Sequence, residues 1–199
     1  VQFSEKVNAS SEQLSINQIA LHKENLGQIK VLGEIFLKKE HADGTVENEV
    51  IGKNIVTLSA SVLLAQLAAK EYKGAIDGLT YLAVGSGDPA WDPRFPPTAS
   101  NTATELVTEI YRKEFYSIEF INPDPGPGDP EVSPTPTNIL DITARFEQGE
   151  ADGFWMEMGL FGGDASASAD SGTLATYKIF SLVSKPSDSI YTITYRLTF

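Results

Sequence analysis

Residues 190–199 read IYTITYRLTF. Tyr191, Ile193, Tyr195, Leu197 and Phe199 fall on one side, and Thr192, Thr194, Arg196 and Thr198 on the other. A strict period of two in hydrophobicity is the mark of a half-buried β-strand, because successive side chains point to opposite faces of a sheet. This strand is expected to tie the C-terminus into a sheet. The same reading extends upstream. NILDITARFE (138–147) puts Leu140, Ile142, Ala144 and Phe146 on one face. FWMEMGLF (154–161) and LATYKIFSLV (174–183) are further strand candidates, and LTYLAV (79–84) is a short apolar run closed by Gly85-Ser86-Gly87. EIYRKEFYSIEFI (109–121) reads as one long strand, with Ile110, Arg112, Glu114, Tyr116, Ile118 and Phe120 against Tyr111, Lys113, Phe115 and Ile121.

The clearest local unit lies nearer the start. QIKVLGEIFLKK (28–39) alternates Ile29, Val31, Ile35 and Leu37 with polar or small residues, Asp43-Gly44 supplies a turn, and TVENEVIGKNIVT (45–57) returns as the partner of a β-hairpin. Thr57 or Ser59 then caps a helix through SASVLLAQLAAKEYKG (59–74), rich in Ala and Leu and stopped by Gly74, with Val62, Leu63, Leu67 and Tyr72 as its expected buried stripe. Ser10-Ser-Glu-Gln13 has the form of a capping box, and Leu14, Ile16, Ile19 and Ala20 follow it. Two readings stand for that segment: a short amphipathic helix, or an arm that orders on a partner. Several strands with Pro/Gly-rich turns and one helix predict a mainly β (α+β) fold, a β-sandwich-like domain with one packed helix. The expected division is residues 1–26 as the N-terminal arm or short helix and 27–199 as a single β-rich domain. A loop at 122–137 holds six prolines and is expected to be extended and exposed.

Composition narrows the chemistry. The chain has 199 residues, the length of one domain, with 27 acidic against 15 basic side chains and a net charge of −12. There is no cysteine, which removes disulfides, thiolate nucleophiles, iron–sulfur clusters and cysteine zinc sites. His22 and His41 are the only imidazoles, too few for a three-histidine metal centre. The acidity argues against nucleic acid, whose binding relies on clustered Lys and Arg. No uncharged apolar run is long enough to span a bilayer, and the start, VQFSEKVNASSEQL, lacks the basic and apolar regions of a signal peptide. Residues 122–172 carry ten acidic groups and one basic group, so that segment is expected to face solvent or a basic partner.

Candidate sites are few. Gly85-Ser86-Gly87-Asp88-Pro89 follows a strand but lacks the Lys-Ser/Thr of a phosphate loop and runs into proline, so it reads as a tight turn. His41 adjoins the hairpin turn and reads as solvated. Glu147, Glu150, Asp152 and Glu157 cluster near Trp155, which admits a carboxylate glycosidase or a sugar-stacking site, against the plainer reading of an acidic loop beside a strand. Asp124 and Asp129, or Asp164 and Asp170, are candidate calcium ligands without EF-hand spacing. Trp91-Asp-Pro-Arg-Phe-Pro-Pro97 is either a recognition loop led by Trp91, Arg94 and Phe95 or a lid that buries Trp91 and Phe95 in the core.

Five blocks in order carry a resemblance: the hairpin with GEIFLKK and NEVIGKNIV, NIVTLSASVLL (54–64), YLAVGSG (81–87), TELVTEIYR (104–112), and EMGLF (157–161) ahead of two terminal strands with Lys185-Pro186 and YRLTF (195–199). This order resembles structural proteins of phage and phage-like tails, in the tail fibre attachment and baseplate family, over about residues 28–199. The Pro-rich loop is longer than in the simplest versions. The resemblance implies a non-enzymatic structural subunit in a baseplate or fibre attachment, with no catalytic, cofactor or metal residues. Its implied partners are copies of itself and other particle proteins, with no nucleic acid and no membrane insertion, in a virion assembled in the host cytoplasm. Leu14, Ile19, Trp91, Arg94 and Phe95 are the expected interface residues. Rival expectations are a head, neck or collar protein of the same particle, or a carbohydrate-binding β module using Trp91, Trp155 and nearby tyrosines.

Overall fold

A computed structural model describes residues 31–68, 77–126 and 131–199. The expected N-terminal arm or helix, including Leu14 and Ile19, lies outside them, as do Tyr72 and Asp129. The described β unit begins at Val31. Its elements are β1 (Leu32–Glu40), β2 (Val46–Val56), α1 (Leu58–Ala68), β3 (Asp77–Gly85), β4 (Glu109–Glu114), β5 (Ser117–Phe120), β6 (Ile139–Phe146), β7 (Gly153–Gly163), β8 (Thr173–Lys185) and β9 (Ile190–Thr198). Among the described residues the fold is mainly β with one helix, as the periodicity predicts.

All strand pairs are antiparallel, in the order β4-β3-β7-β8-β2-β1-β9-β6-β5. Here the structure departs from the sequence reading, because 109–121 is two strands, not one. β4 and β5 stand at opposite ends of the strand order, yet only Phe115 and Tyr116 separate them in the chain. A two-residue link spans about 10 Å at most, so the two edges must meet and the sheet must curl back on itself. β2 turns the other corner. Its residues from Val46 to Asn54 pair with β1, and Ile55 and Val56 pair with β8. A β-bulge at Ile35/Phe36, opposite Gly52 at φ +111°, bends the ladder just before that change of partner.

The curl encloses one apolar core. Ile35 and Leu37 of β1, Ile142, Ala144 and Phe146 of β6, and Tyr191, Ile193, Tyr195 and Leu197 of β9 are all buried, as the alternation predicts, while Phe199 at the rim is 46% exposed. From the facing layer come Leu82, Val84, Trp155, Met158 and Leu160. Tyr111, Phe146, Trp155 and Tyr191 form a continuous edge-to-face series with centroid spacings of 6.1, 5.2 and 5.5 Å. Such contacts contribute about 0.5–1.5 kcal/mol each beyond the area they bury. Trp155 is fully buried and its Nε1–H donates to the Ala151 carbonyl at 2.7 Å. It therefore offers no face to a sugar, which corrects the expectation that Trp155 lines a glycan site.

Helix α1 is held by Thr57, whose Oγ1 accepts from the Ala60 N–H and donates to the Leu174 carbonyl of β8. The expected stripe is corrected. Leu63 and Ala60 are the buried contacts, whereas Val62 is 57% and Leu67 37% exposed. Only a narrow strip of this short helix faces Ala175 and its neighbours, so an apolar composition overstates its burial.

The acidic segment does not simply face solvent. Asp141 takes a bidentate pair from Arg196 at 2.8 Å and Glu131 a single bond at 2.9 Å. Glu147 meets Arg145, Glu150 meets Lys113, and Asp152 meets the buried Lys185 at 3.0 Å. The Pro-rich loop is pinned at its neck by an Ile121–Val132 bridge and by the Asn122 N–H donating to the Glu131 carbonyl. Burial alone would push the Glu150 carboxyl up, but the Lys113 ammonium and the Glu147 N–H outweigh it and hold the group below its usual range. A carboxyl lowered on folding contributes stability above its unfolded value and loses it as the pH falls through the folded value.

Two outcomes follow from this packing. Trp155→Phe is expected to cost about 2 kcal/mol through the lost hydrogen bond and contact, lowering the thermal midpoint by about 4–8 °C. Lys113→Met is expected to lower the midpoint at neutral pH and to have no such effect in acid below both Glu150 values. Equal losses at the two pH values would contradict the pairing.

Candidate interface on the outer face

β7 is buried on both sides, and its outer side explains the glycine turn. Residues 86–108 cross over β3, β7 and β8, and their Leu106 packs with Ala83, Phe161, Leu174 and Tyr177, which they bury. Among these apolar groups lies Glu157, with no exposed surface. Its carboxylate is satisfied by four donors. One oxygen accepts the Thr108 N–H at 2.8 Å and the Gly87 N–H at 3.2 Å, and the other accepts the Val107 N–H at 3.0 Å and the Tyr177 hydroxyl at 2.6 Å. A buried charge persists only when its lone pairs are filled in this way. Burial, reinforced by the hydrogen bond to Glu157, raises the Tyr177 phenol far above its ordinary value, so it stays a donor. Both ends of the crossing loop are thus fastened to one side chain on β7.

Two glycines make the approach possible. A Cβ on Gly85 would stand 2.5 Å from the Glu157 carboxylate, and one on Gly87 would stand 2.4 Å from the Trp91 ring. Gly87 also sits at φ +72°, where an L side chain is strained.

A second buried charge secures the neighbouring loop. Arg112 makes a bidentate pair with Glu109 at 2.6 and 2.7 Å, and one of its terminal nitrogens donates to the carbonyls of Ser166 and Ser171 at 3.1 and 2.9 Å. Its guanidinium lies 4.6 Å from the Phe161 ring centroid. The far oxygen of Glu109 accepts the Asp170 N–H at 3.2 Å. The loop after β7 is thereby held by an ion pair from β4.

On this scaffold the 88–97 segment is displayed. Asp92 turns the chain by accepting the N–H groups of Arg94 and Phe95 at 2.8 and 3.2 Å. The Pro93 carbonyl accepts the Leu182 N–H at 2.9 Å and the Arg94 carbonyl accepts the Ser181 hydroxyl at 3.1 Å, fixing the loop along β8. Trp91 is half-buried against Gly87, while Phe95 is 80% exposed. Phe95 therefore does not close the core. Arg94 is exposed beside it, with no carboxylate in salt-bridge range among the described residues.

The blocks behind the family resemblance converge here. The AVGSG turn, the TELVTEIYR stretch and EMGLF supply Gly85, Gly87, Leu106, Glu109, Arg112, Glu157 and Phe161 to this one face. A family model described as baseplate wedge 3 tail fiber network component matches residues 55–167, more than half of the chain. The chain belongs to that family. It is accordingly a structural protein of phage tails, in the class of baseplate components. No curated protein matches it.

Other sequence candidates are drawn apart. Glu157 lies in the outer core, while Glu147, Glu150 and Asp152 are each engaged by a different cation, so the four do not form a pair of free carboxylates. Among the described residues no three His, Cys, Asp or Glu side chains gather as a metal site would require. Also among them, no helix is long and apolar enough to cross a membrane. Sequence reasoning missed Glu157 and Arg112 as fasteners. The signal was there: a lone carboxylate inside FWMEMGLF has to be buried with its strand.

Replacing Glu157 by Gln keeps the shape but puts an NH2 where two donors point. The expected cost is about 2–4 kcal/mol, read as a lowered thermal midpoint. Limited proteolysis should also show new cleavage within 86–108 while the near-ultraviolet signal of Trp155 persists. A variant with unchanged stability and protease resistance would show that the carboxylate does not fasten the loop.

Proposed function

We propose that the chain is a non-enzymatic subunit that joins neighbouring proteins at the baseplate or fibre-attachment end of a phage or phage-like tail, using the 88–97 loop as one contact. The observation that carries this reading is the rigid presentation of Phe95 and Arg94. The loop that carries this 80% exposed aromatic has its backbone held by Trp91, Asp92 and two hydrogen bonds from β8 before any partner arrives. Preorganisation of this kind lowers the cost of association, and aromatic and arginine anchors contribute disproportionately to interfaces. Membership of a tail fiber network family supports a role in contact with other particle proteins, within the virion.

Residues 1–26 complete the proposal as an arm that docks on a neighbour, with Leu14 and Ile19 as its apolar contacts. The many carboxylates serve folding in this reading, since those beside the core are paired with Lys and Arg or with backbone amides. Self-association and contact with other tail proteins both fit such a subunit, because particle assemblies repeat one interface under symmetry.

Phe95→Ala and Arg94→Glu touch no fold-determining contact, so each is expected to change stability by less than about 0.5 kcal/mol. Incorporation into particles should nevertheless fall several-fold, measured as the chain-to-capsid ratio in purified particles complemented with each variant. Immunogold labelling of wild-type particles should mark the distal tail. Label at the head or neck would overturn the location, and full incorporation of both variants would overturn the loop as a contact.

A further inference from the structure

The corner where β2 changes partner leaves a strand edge open. Ile55 and Val56 pair with β8, but on the side away from β1 no described strand pairs with residues 46–53. The edge of β8 beyond this corner is treated differently, since the Pro93 carbonyl accepts the Leu182 N–H there. An edge about eight residues long that no described residue pairs with is a ready template for another strand unless its side chains discourage one.

The side chains discriminate rather than simply discourage. Glu49 stands opposite Leu37, and Glu47 opposite Lys39, so both carboxylates continue the core-facing side of the sheet past the end of the core. They are 46% and 57% exposed. Lys39 lies 2.8 Å from Glu49 and 4.0 Å from Glu47, and the His41 imidazole stands 3.8 Å from Glu47. On the opposite face Val46 and Val50 are 50% and 65% exposed, with Asn48 between them.

With Glu47–Glu49 at its centre, this edge fits a second copy badly. Antiparallel self-pairing centred on Asn48 matches Val46 with Val50 but sets Glu47 against Glu49 twice. Centring on Glu47 or Glu49 sets that carboxylate against its own image. Like charges directly opposite one another destabilise a strand pair. We infer that the free edge of β2 accepts an extended segment of another protein in antiparallel pairing, with Lys or Arg opposite Glu47 and Glu49 and apolar residues opposite Val46 and Val50. Read along the incoming strand, this is apolar-basic-polar-basic-apolar. The edge supplies backbone hydrogen bonds for affinity and the two carboxylates for choice of partner. This inference goes beyond the loop contact proposed above and stands on different residues. It also lies outside residues 55–167, the part of the chain that the family model matches.

The test uses the full chain and two fluorescein-labelled heptapeptides, Thr-Val-Lys-Thr-Lys-Val-Thr and its counterpart with Glu for Lys. Anisotropy titration should give saturable binding of the lysine peptide and at least ten-fold weaker binding of the glutamate peptide. Hydrogen exchange should slow at amides within 46–53 when the lysine peptide is present. Glu47→Lys/Glu49→Lys should reverse the preference, and Glu47→Gln/Glu49→Gln should abolish it without adding a cation. Equal binding of both peptides, no binding, protection elsewhere than 46–53, or a preference indifferent to these substitutions would each overturn the inference. None of these outcomes bears on incorporation of the Phe95 and Arg94 variants, so the two readings fail separately.

Discussion

The outer face of the molecule depends on one buried carboxylate. Glu157 has no exposed surface and lies on the side of β7 where Ala83, Phe161, Leu174 and Tyr177 are buried. Its charge is tolerated because three backbone N–H groups and the Tyr177 hydroxyl converge on it. The same requirement runs the other way. The amides of Gly87, Val107 and Thr108 belong to a loop with no regular partner strand there, and burying them without an acceptor would itself be costly. Loop and carboxylate therefore satisfy each other, and the 86–108 crossing is fastened to β7 at both of its ends. From this follows the covering of Phe161 and Tyr177, the seating of Trp91 on Gly87, and the fixed display of Phe95.

A second constraint is topological. The two-residue link between β4 and β5 and the change of partner within β2 both force the sheet to close on itself. Closure converts the alternation of β1, β6 and β9 into a single enclosed core with Trp155 at its centre. It also removes most free edges, because β4 and β5 meet at one corner. At the other corner the bulge opposite Gly52 turns β2 towards β8 for two residues only, leaving the preceding part of the strand outside the closed system. The edge left without a partner strand among the described residues is thus a by-product of how the curl is made.

The parts of this fold legible in the sequence are those governed by local periodicity. β6 and β9 alternate because one face meets the core and the other solvent, and the β1–β2 hairpin announces itself through Asp43-Gly44, where Gly44 has φ +84°. Periodicity is blind to which partner a strand pairs with. EIYRKEFYSIEFI keeps its alternation through the corner at Phe115-Tyr116, so nothing in it reveals that the two halves join opposite ends of one curled sheet. Apolar composition misled at α1, where one narrow strip is buried and Val62 and Leu67 are not. Net charge misled at 122–172, since Arg196, Lys185 and Lys113 reach that segment from elsewhere in the chain. The candidate interface was only half legible. The sequence singled out Trp91, Arg94 and Phe95 but could not show that Trp91 anchors while Phe95 protrudes. Glu157 was read with its acidic neighbours, although its place among Met156, Met158 and Leu160 on a strand already required burial.

The distribution of charge bears on what such a subunit does. Catalysis by carboxylates needs at least one group free to exchange a proton or attack, in a cleft that a substrate can enter. In this molecule the carboxylates nearest the core are engaged: Glu157 with amides, Glu109 with Arg112, Asp152 with Lys185, and Asp141 with Arg196. Presented outward are an aromatic, Phe95, on the loop fastened along β8 and a strand edge carrying Glu47 and Glu49. The fasteners Glu157 and Arg112 fall within the segment that the family model matches, and the open β2 edge falls before it. Glu157 and Arg112 thus hold the part of the fold that the family model covers, whereas Glu47 and Glu49 stand on a strand segment before it, where a change of side chain leaves those fasteners untouched.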